Sequence, residues 1–469
     1  MFRPSATRRC NRLNRGRTRT RRARRSGMCR VGSEFALSPW RRSSCQPVSS
    51  AEKEPEIMRY LSILLTVAVL LSSACDKEEA QPTAEPTAPT TAAPTSSKAD
   101  ETSEHGSPHA GIDIDDPQSC KGCHGTIYEE WTESMHSRAH HDNDPIYGSM
   151  RALRMKKQGE HIAEKCAKCH NARSPDQPDT VAGKAGVSCA TCHNVAAVES
   201  APGKVGVDAL TWEEGNVMRS SRDLEPGASP VHGTGKALPA MQDGVTLCMS
   251  CHNATKTPTG APACTTGPEF REHGGDETCV SCHMPEVEGP AGAVGRQDKH
   301  ASHQFLGPHR AWYQNDKSIL ESAVAMSAAF GDDGLTVTLA NKSVHGFPSG
   351  FPGRLAVVKV VGKDKDGEVV WQNFTDNPMA EHPDSVLNKV YHDANGKPVP
   401  APFSKKMVRD TRLGPDETRM VTYEVPANVA SAEIKLIYRL LPPKLAKLLE
   451  IDDRVEATPK VIATTSAER

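Results

Sequence analysis

The sequence predicts a multidomain chain in which a mainly helical, loop-rich domain over residues 112–315 precedes an antiparallel β-sandwich-like domain over residues 318–455. Three observations point there. Five copies of one short cysteine–histidine motif crowd into residues 120–283. The 469 residues are only 37% hydrophobic and 4% aromatic, with 35 Pro and 35 Gly, which argues against a large conventional core and against a polytopic membrane protein. From about Ser318 the pattern turns to β-branched, alternating segments separated by Gly/Asp turns.

The near-zero formal charge hides an asymmetry. Residues 1–57 hold 14 Arg and Lys53 against four Glu, whereas from Cys75 onward 41 basic residues face 54 acidic ones, a balance of −13. An acidic body does not favour nucleic acid, whose binding needs basic patches. Met58-Arg59-Tyr60 is followed by the apolar run Leu61–Leu71 and by Ser72-Ser73-Ala74-Cys75. That order, a short basic start, an apolar stretch and small residues at a cleavage point, is a secretory signal, and the run is too short to span a bilayer comfortably. We read residues 1–57 as an upstream extension misassigned to the chain and residues 58–74 as the signal peptide. Cleavage before Cys75 suits ordinary signal peptidase, and Leu71-Ser-Ser-Ala-Cys75 also resembles a bacterial lipobox with its Leu one place early. The lipoprotein reading is favoured, because residues 75–111 form a Pro/Thr/Ala-rich tether that cannot bury enough apolar surface to fold. A lipidated Cys75 would attach the chain to a membrane. The expected location is the periplasmic face of a bacterial membrane.

The repeated motif is C-x-x-C-H. It occurs at Cys120-Lys-Gly-Cys123-His124, Cys166-Ala-Lys-Cys169-His170, Cys189-Ala-Thr-Cys192-His193, Cys248-Met-Ser-Cys251-His252 and Cys279-Val-Ser-Cys282-His283. Two thiols so spaced reach the two vinyl groups on one edge of a haem, and the next residue, His, is held under the iron as an axial ligand. Zinc would need paired C-x-x-C units without a His fixed after each, and disulfide scaffolds do not repeat this pattern. Five covalently bound c-type haems are therefore expected. Cys120 to His283 spans 164 residues, so the haems must touch or nearly touch, and they supply the interior that side chains do not. Cys264 lies outside the motifs and reads as a buried thiol.

Five irons need at most five further ligands, and ten histidines lie outside the motifs between residues 112 and 345. His136 is the strongest candidate, since Tyr128, Trp131 and His136 follow the first motif at helical spacing with an aromatic face. His232, presented by Ser229-Pro-Val-His232, and His303, in His300-Ala-Ser-His303, follow. His300 reads as either a second ligand or a core histidine. One of His140 and His141 could reach a haem, though each reads rather as an exposed or supporting group; His161 and His273 stay open, and His309 looks like surface.

In the C-terminal domain Leu335–Leu339, Leu355–Val361, Glu368–Trp371, Met420–Val425 and Glu433–Tyr438 read as strands, with a short helix near Pro443–Leu449 and a tail over residues 456–469. Asn341-Lys-Ser-Val-His345-Gly-Phe-Pro-Ser-Gly350 interrupts this pattern. Such a Gly/Pro-shaped loop can carry His345 out of the sheet toward a neighbouring iron, or the His can make structural hydrogen bonds instead.

Over residues 117–440 the chain resembles multihaem cytochromes of the cytochrome c-552/c-554 and hydroxylamine-oxidoreductase-related type. The resemblance rests on Cys120–His124 with Tyr128, Trp131, Ser134 and His136, on Gly-Val-Ser-Cys-Ala-Thr-Cys-His at 186–193, and on Ser229-Pro-Val-His232. Cys-Val-Ser-Cys-His-Met-Pro at 279–285, His303-x-Phe305 and His345-Gly-Phe-Pro-Ser-Gly350 extend it. It implies His136, His232, His303 and His345 as distal ligands, and a family holding both electron carriers and enzymes of small nitrogen compounds. The chain departs from the nitrogen-oxidising enzymes in having five motifs rather than eight, and from ammonia-forming nitrite reductases in lacking C-x-x-C-K. The resulting expectation is an exported electron carrier serving redox partners with basic docking patches. The alternative is an oxidoreductase with one open haem iron acting on nitrite, hydroxylamine or a sulfur oxyanion, for which no catalytic side chain is assigned.

Overall fold

The computed structural model describes residues 111–199, 201, 203–253, 255–294 and 298–469. The readings made for residues 1–110 lie outside them. Residues 112–315 form short helices: α1 (Gln118–Lys121), α2 (Gly125–Glu133), α3 (Pro145–Gln158), α4 (Ile162–His170), α5 (Val181–Lys184), α6 (Cys189–His193), α7 (Pro239–Gln242), α8 (Thr246–His252), α9 (Thr266–His273), α10 (Cys279–His283) and α11 (Arg310–Tyr313). Irregular chain outweighs helix in this region, so it is loop-rich as expected but not mainly helical. The reason lies in the motifs: a C-x-x-C-H unit needs only one helical turn to bring Cys i and i+3 to one face. Each turn then starts and stops locally. Ser188 with Thr191 and Thr278 with Ser281 form capping boxes that open α6 and α10. Two small hairpins, β1 (Val195–Val198) with β2 (Leu210–Trp212) and β3 (Glu286–Glu288) with β4 (Lys299–Ala301), lie among the helices.

After α12 (Ser318–Ala323) the chain builds two antiparallel sheets. One has the order β12 (Thr418–Tyr423), β6 (Gly334–Asn341), β5 (Val324–Gly331). The other runs β14 (Lys460–Glu468), β13 (Ser431–Arg439), β7 (Leu355–Lys363), β8 (Val369–Gln372), with β9 (Val386–Leu387) also paired to β7. A separate ribbon joins β10 (Lys389–His392) to β11 (Lys406–Asp410). Leu335, Val337 and Leu339 of β6 and Ile434, Leu436 and Tyr438 of β13 alternate inward and are fully or almost fully buried. They share one core with Val358 and Val360 of β7 and Tyr423 of β12, as a sandwich requires. Ile146 and Met150 of α3 and Trp312 of α11 join the same core, so the motif-bearing region is seated on the sandwich.

Residues 456–469 are not a tail. β14 pairs with β13 from Ser431↔Glu468 to Tyr438↔Lys460 and buries Ile462 and Ala467. Its sequence, with one apolar face and Lys, Thr, Ser and Glu on the other, is that of a sheet-edge strand, which composition alone does not distinguish from a polar tail. β5 escapes prediction for a related reason, being rich in alanine. Among the described residues no helix is long and apolar enough to cross a membrane.

Candidate metal centres

In each motif the histidine follows the second cysteine at the end of a helical turn or, for His124, at the start of α2. Four of these imidazoles direct Nδ1 at a backbone carbonyl from another segment: His124 at Ala291 O (2.7 Å), His170 at Ala139 O (3.1 Å), His193 at Arg219 O (2.7 Å) and His283 at Leu306 O (2.5 Å). A nitrogen facing a carbonyl must carry the proton. Nε2 is then left with its lone pair, the state a metal ligand needs.

The second set of histidines meets the first in a regular way. Ring centroids are 6.4 Å apart for His124 and His232, 6.2 Å for His252 and His136, 6.2 Å for His193 and His303, and 6.4 Å for His283 and His345. Two imidazoles on opposite faces of one iron stand about 6.3 Å apart, from two metal–nitrogen bonds of ~2 Å and about 1.15 Å from each nitrogen to its ring centre. All four pairs have the spacing to hold an iron between them. His232, His303 and His345 also direct Nδ1 at carbonyls, of Gly233, Ala301 and Gly346.

His170 differs. Among the described residues no histidine ring stands across from it, and the ring against it is Tyr147, stacked face to face at 3.7 Å and 18°.

Burial holds four of these imidazoles below their ordinary range, His136 at about 3 and His170, His252 and His303 at about 4. Each is neutral near pH 7, and a neutral ring can ligate. The His345 loop is fixed from both sides. Asn341 Nδ2 and the Ser343 hydroxyl donate to His345 O, and the Gly346 N–H donates to Glu269 at 2.8 Å. Burial raises Glu269, but the Arg412 guanidinium (2.7 Å) and the Thr265 hydroxyl (2.6 Å) hold its carboxyl below the usual range.

The remaining histidines sort themselves by contact. His300 presents Nδ1 to Gly289 O (2.8 Å) and Nε2 to Glu130 (3.3 Å), so it is a core histidine with both nitrogens engaged. His161 and His273 are exposed. His140 is buried and His141 half-buried beside Asp142. His309 is not surface: it is half-buried beside Tyr313, and burial lowers it to about 3. Cys264 is half-buried, with Sγ 3.4 Å from the Thr266 hydroxyl. Sequence reasoning missed Tyr147 and Glu269, since neither belongs to a motif and only the fold brings them to a histidine.

The motifs also adjoin one another. The thiols of Cys120 and Cys189, of Cys169 and Cys251, and of Cys248 and Cys279 are near neighbours, each close enough to perturb the other's titration. Paired thiols on single turns, imidazoles with Nε2 free, and ring pairs at the spacing of one iron fit haem at these positions.

The sequence model of a family described as "Cytochrome c554 and c-prime" matches residues 119–194. Among solved structures, a penta-heme cytochrome c552 from Thermochromatium tepidum superimposes with a TM-score of 0.62 at 26% identity, over 74% of this chain and 97% of that one. Together these matches support a multihaem c-type cytochrome of the c552/c554 family. No curated protein matches it. The same matches support five covalently bound c-type haems; the ten motif cysteines would hold them as thioethers, and His124, His170, His193, His252 and His283 would each supply one iron ligand.

Proposed function

We propose that this cytochrome is an exported electron carrier working between periplasmic or membrane redox partners. The observation that carries the reading is the set of four histidine pairs at 6.2–6.4 Å. His124 with His232, His252 with His136, His193 with His303 and His283 with His345 would each cap one iron on both faces. Bound haem supplies reversible one-electron chemistry. The residues' task is to hold the irons fixed and dry: carbonyls orient the imidazoles, and β-domain contacts lock His345 in place. The thiol neighbours link the first motif to the third, the second to the fourth and the fourth to the fifth, which supports close electron hopping. The signal segment supports export. A lipid on Cys75 would anchor the chain, and the acidic body would favour partners with basic patches.

A second reading is favoured by His170. With Tyr147 on its ring and no histidine across from it among the described residues, its iron would keep one face open to nitrite, hydroxylamine or a sulfur oxyanion, and the cytochrome would be an oxidoreductase.

Absorption and EPR spectra of the mature, haem-loaded protein test both readings, taken with and without carbon monoxide, nitrite and hydroxylamine. Four low-spin haems and one high-spin haem that binds carbon monoxide are expected. Turnover of nitrite or hydroxylamine by the reduced protein would establish the oxidoreductase. Ligand binding without turnover would leave the carrier. Fewer than four low-spin haems would sink the ligation on which the carrier rests.

A further inference from the structure

Two shielded histidines have no part in the four ring pairs. His140 is fully buried and His141 half-buried, and their rings lie against each other with centroids 4.0 Å apart. Unlike His300, neither has both nitrogens engaged: His140 Nε2 and His141 Nδ1 are shielded from solvent without a hydrogen bond.

A tight turn gathers the two rings with Asp142. The His140 carbonyl accepts the N–H groups of Asn143 and Asp144, both at 3.0 Å. Helix α3 packs so closely on the turn that Gly148 has no room for a Cβ against the His141 carbonyl. As a result one donor atom from each of His140, His141 and Asp142 lies within 4.8 Å of the other two. His140 Nδ1 is 3.5 Å from one Asp142 carboxylate oxygen, and His141 Nε2 is 3.7 Å from the other.

These are not ordinary hydrogen bonds. Both distances exceed the ~2.7–3.2 Å of an N–H···O bond. His140 Nδ1 accepts the Asp142 N–H at 3.2 Å, so it carries no proton to give the carboxylate. An unprotonated imidazole nitrogen facing a carboxylate is a pair of acceptors, and a cation satisfies such a pair. In a tetrahedral site with bonds of ~2.0–2.1 Å, neighbouring donor atoms stand about 3.4 Å apart. Burial holds both rings below their ordinary range, outweighing Asp142 and Asp179, so both are neutral near pH 7 and can ligate. Lys184 beside His140 and Arg151 beside His141 act in the same direction as burial. The Asp142 side chain is 61% exposed, which leaves a way in from solvent and a place for water as a further ligand.

We propose that His140, His141 and Asp142 bind one divalent transition cation of the zinc class, separate from the haem irons. Two imidazoles and one carboxylate suit zinc, whereas calcium and magnesium take oxygen donors. The turn joins Ala139, whose carbonyl takes the His170 Nδ1 proton, to α3, whose Tyr147 stacks on His170. A cation there would brace the support of that histidine.

The test uses the haem-loaded protein, without an affinity tag and stripped with a chelator. Zinc is titrated in competition with a chelating dye, and bound metal is counted by mass spectrometry. One zinc per chain is expected, with a higher melting temperature when it binds. His141→Ala and Asp142→Asn should each weaken binding about tenfold or more, a scale on which even supporting groups matter. His161→Ala and His273→Ala, at exposed histidines outside the turn, should leave it unchanged. If His141→Ala fails to fold, Asp142→Asn, at an exposed side chain, carries the test. Absence of a one-to-one site, or binding that survives the turn variants, would overturn the proposal. So would loss of binding in the two controls. Loss of a low-spin haem signal in His141→Ala with zinc binding intact would make His141 a haem ligand instead.

Discussion

His283 and His300 both direct Nδ1 at a backbone carbonyl, of Leu306 and of Gly289. Their second nitrogens separate them. Glu130 takes that of His300 at 3.3 Å, whereas the group across from His283 is the His345 ring at 6.4 Å. Replacing His345 by Gln should therefore convert one low-spin haem to high-spin in the EPR spectrum, while His300→Gln should leave the haem spectrum intact and cost only stability. The opposite pattern would reassign the ligand. His309 gives a pH prediction. Its folded value of about 3 lies below the ordinary value of 6.5, so between these values the unfolded chain binds a proton that the folded one does not. Stability then falls as pH drops below about 6.5, by on the order of 1 kcal/mol at pH 5 after allowing for partial exposure. Thermal melts of the holo-protein should show a smaller loss between pH 7 and pH 5 for His309→Gln. At this scale the motif residues were legible because a covalent attachment demands fixed neighbours in sequence. Tyr147 and Glu269 were not, because only the fold brings them to a histidine.

Whole elements carry the proposed ligands into place. The His345 loop leaves β6 and is pinned by Asn341 and Ser343 behind it and by Glu269 in front. Phe347, two residues on, packs against Tyr438 of β13 with centroids 5.7 Å apart. β13 in turn lies between β7 and β14. Deleting residues 459–469 would strip β13 of its outer partner and uncover the flank of Ile434 and Leu436. We expect the melting temperature to fall by at least several degrees, given ~1 kcal/mol for each 2–8 °C in domains of this range, and the low-spin signal of the haem proposed to take His345 to weaken. Removal of a mere tail would change neither. The alternation in β6, β7 and β13 made the sandwich legible, since both faces of these strands are decided by burial. The edge strand β14 and the alanine-rich β5 were not, because half-exposed strands carry weaker patterns. The helical content of residues 112–315 was overestimated for the opposite reason: haem, not an apolar helix face, organises that region.

For the molecule as a whole, charge sets how partners arrive. From Cys75 onward the chain holds 41 basic against 54 acidic residues, a net −13 that repels acidic proteins and attracts basic ones. If its redox partners carry basic patches, encounter is steered by a field that salt screens, with a Debye length of ~30 Å at 0.01 M and ~3 Å at 1 M. Stopped-flow electron transfer from the fully reduced cytochrome to a lysine-rich monohaem cytochrome should therefore slow by about tenfold or more as ionic strength rises through that range, within the span that steering commands. An acidic acceptor such as a flavodoxin should show the reverse slope, because screening removes repulsion. The small acceptor ferricyanide separates the two parts of the argument. Its rapid reduction shows that electrons reach the surface, whatever the protein partners do. Reduction of ferricyanide with no salt dependence toward either protein would sink the electrostatic docking and leave the carrier standing. A failure to reduce any of the three would sink the carrier itself.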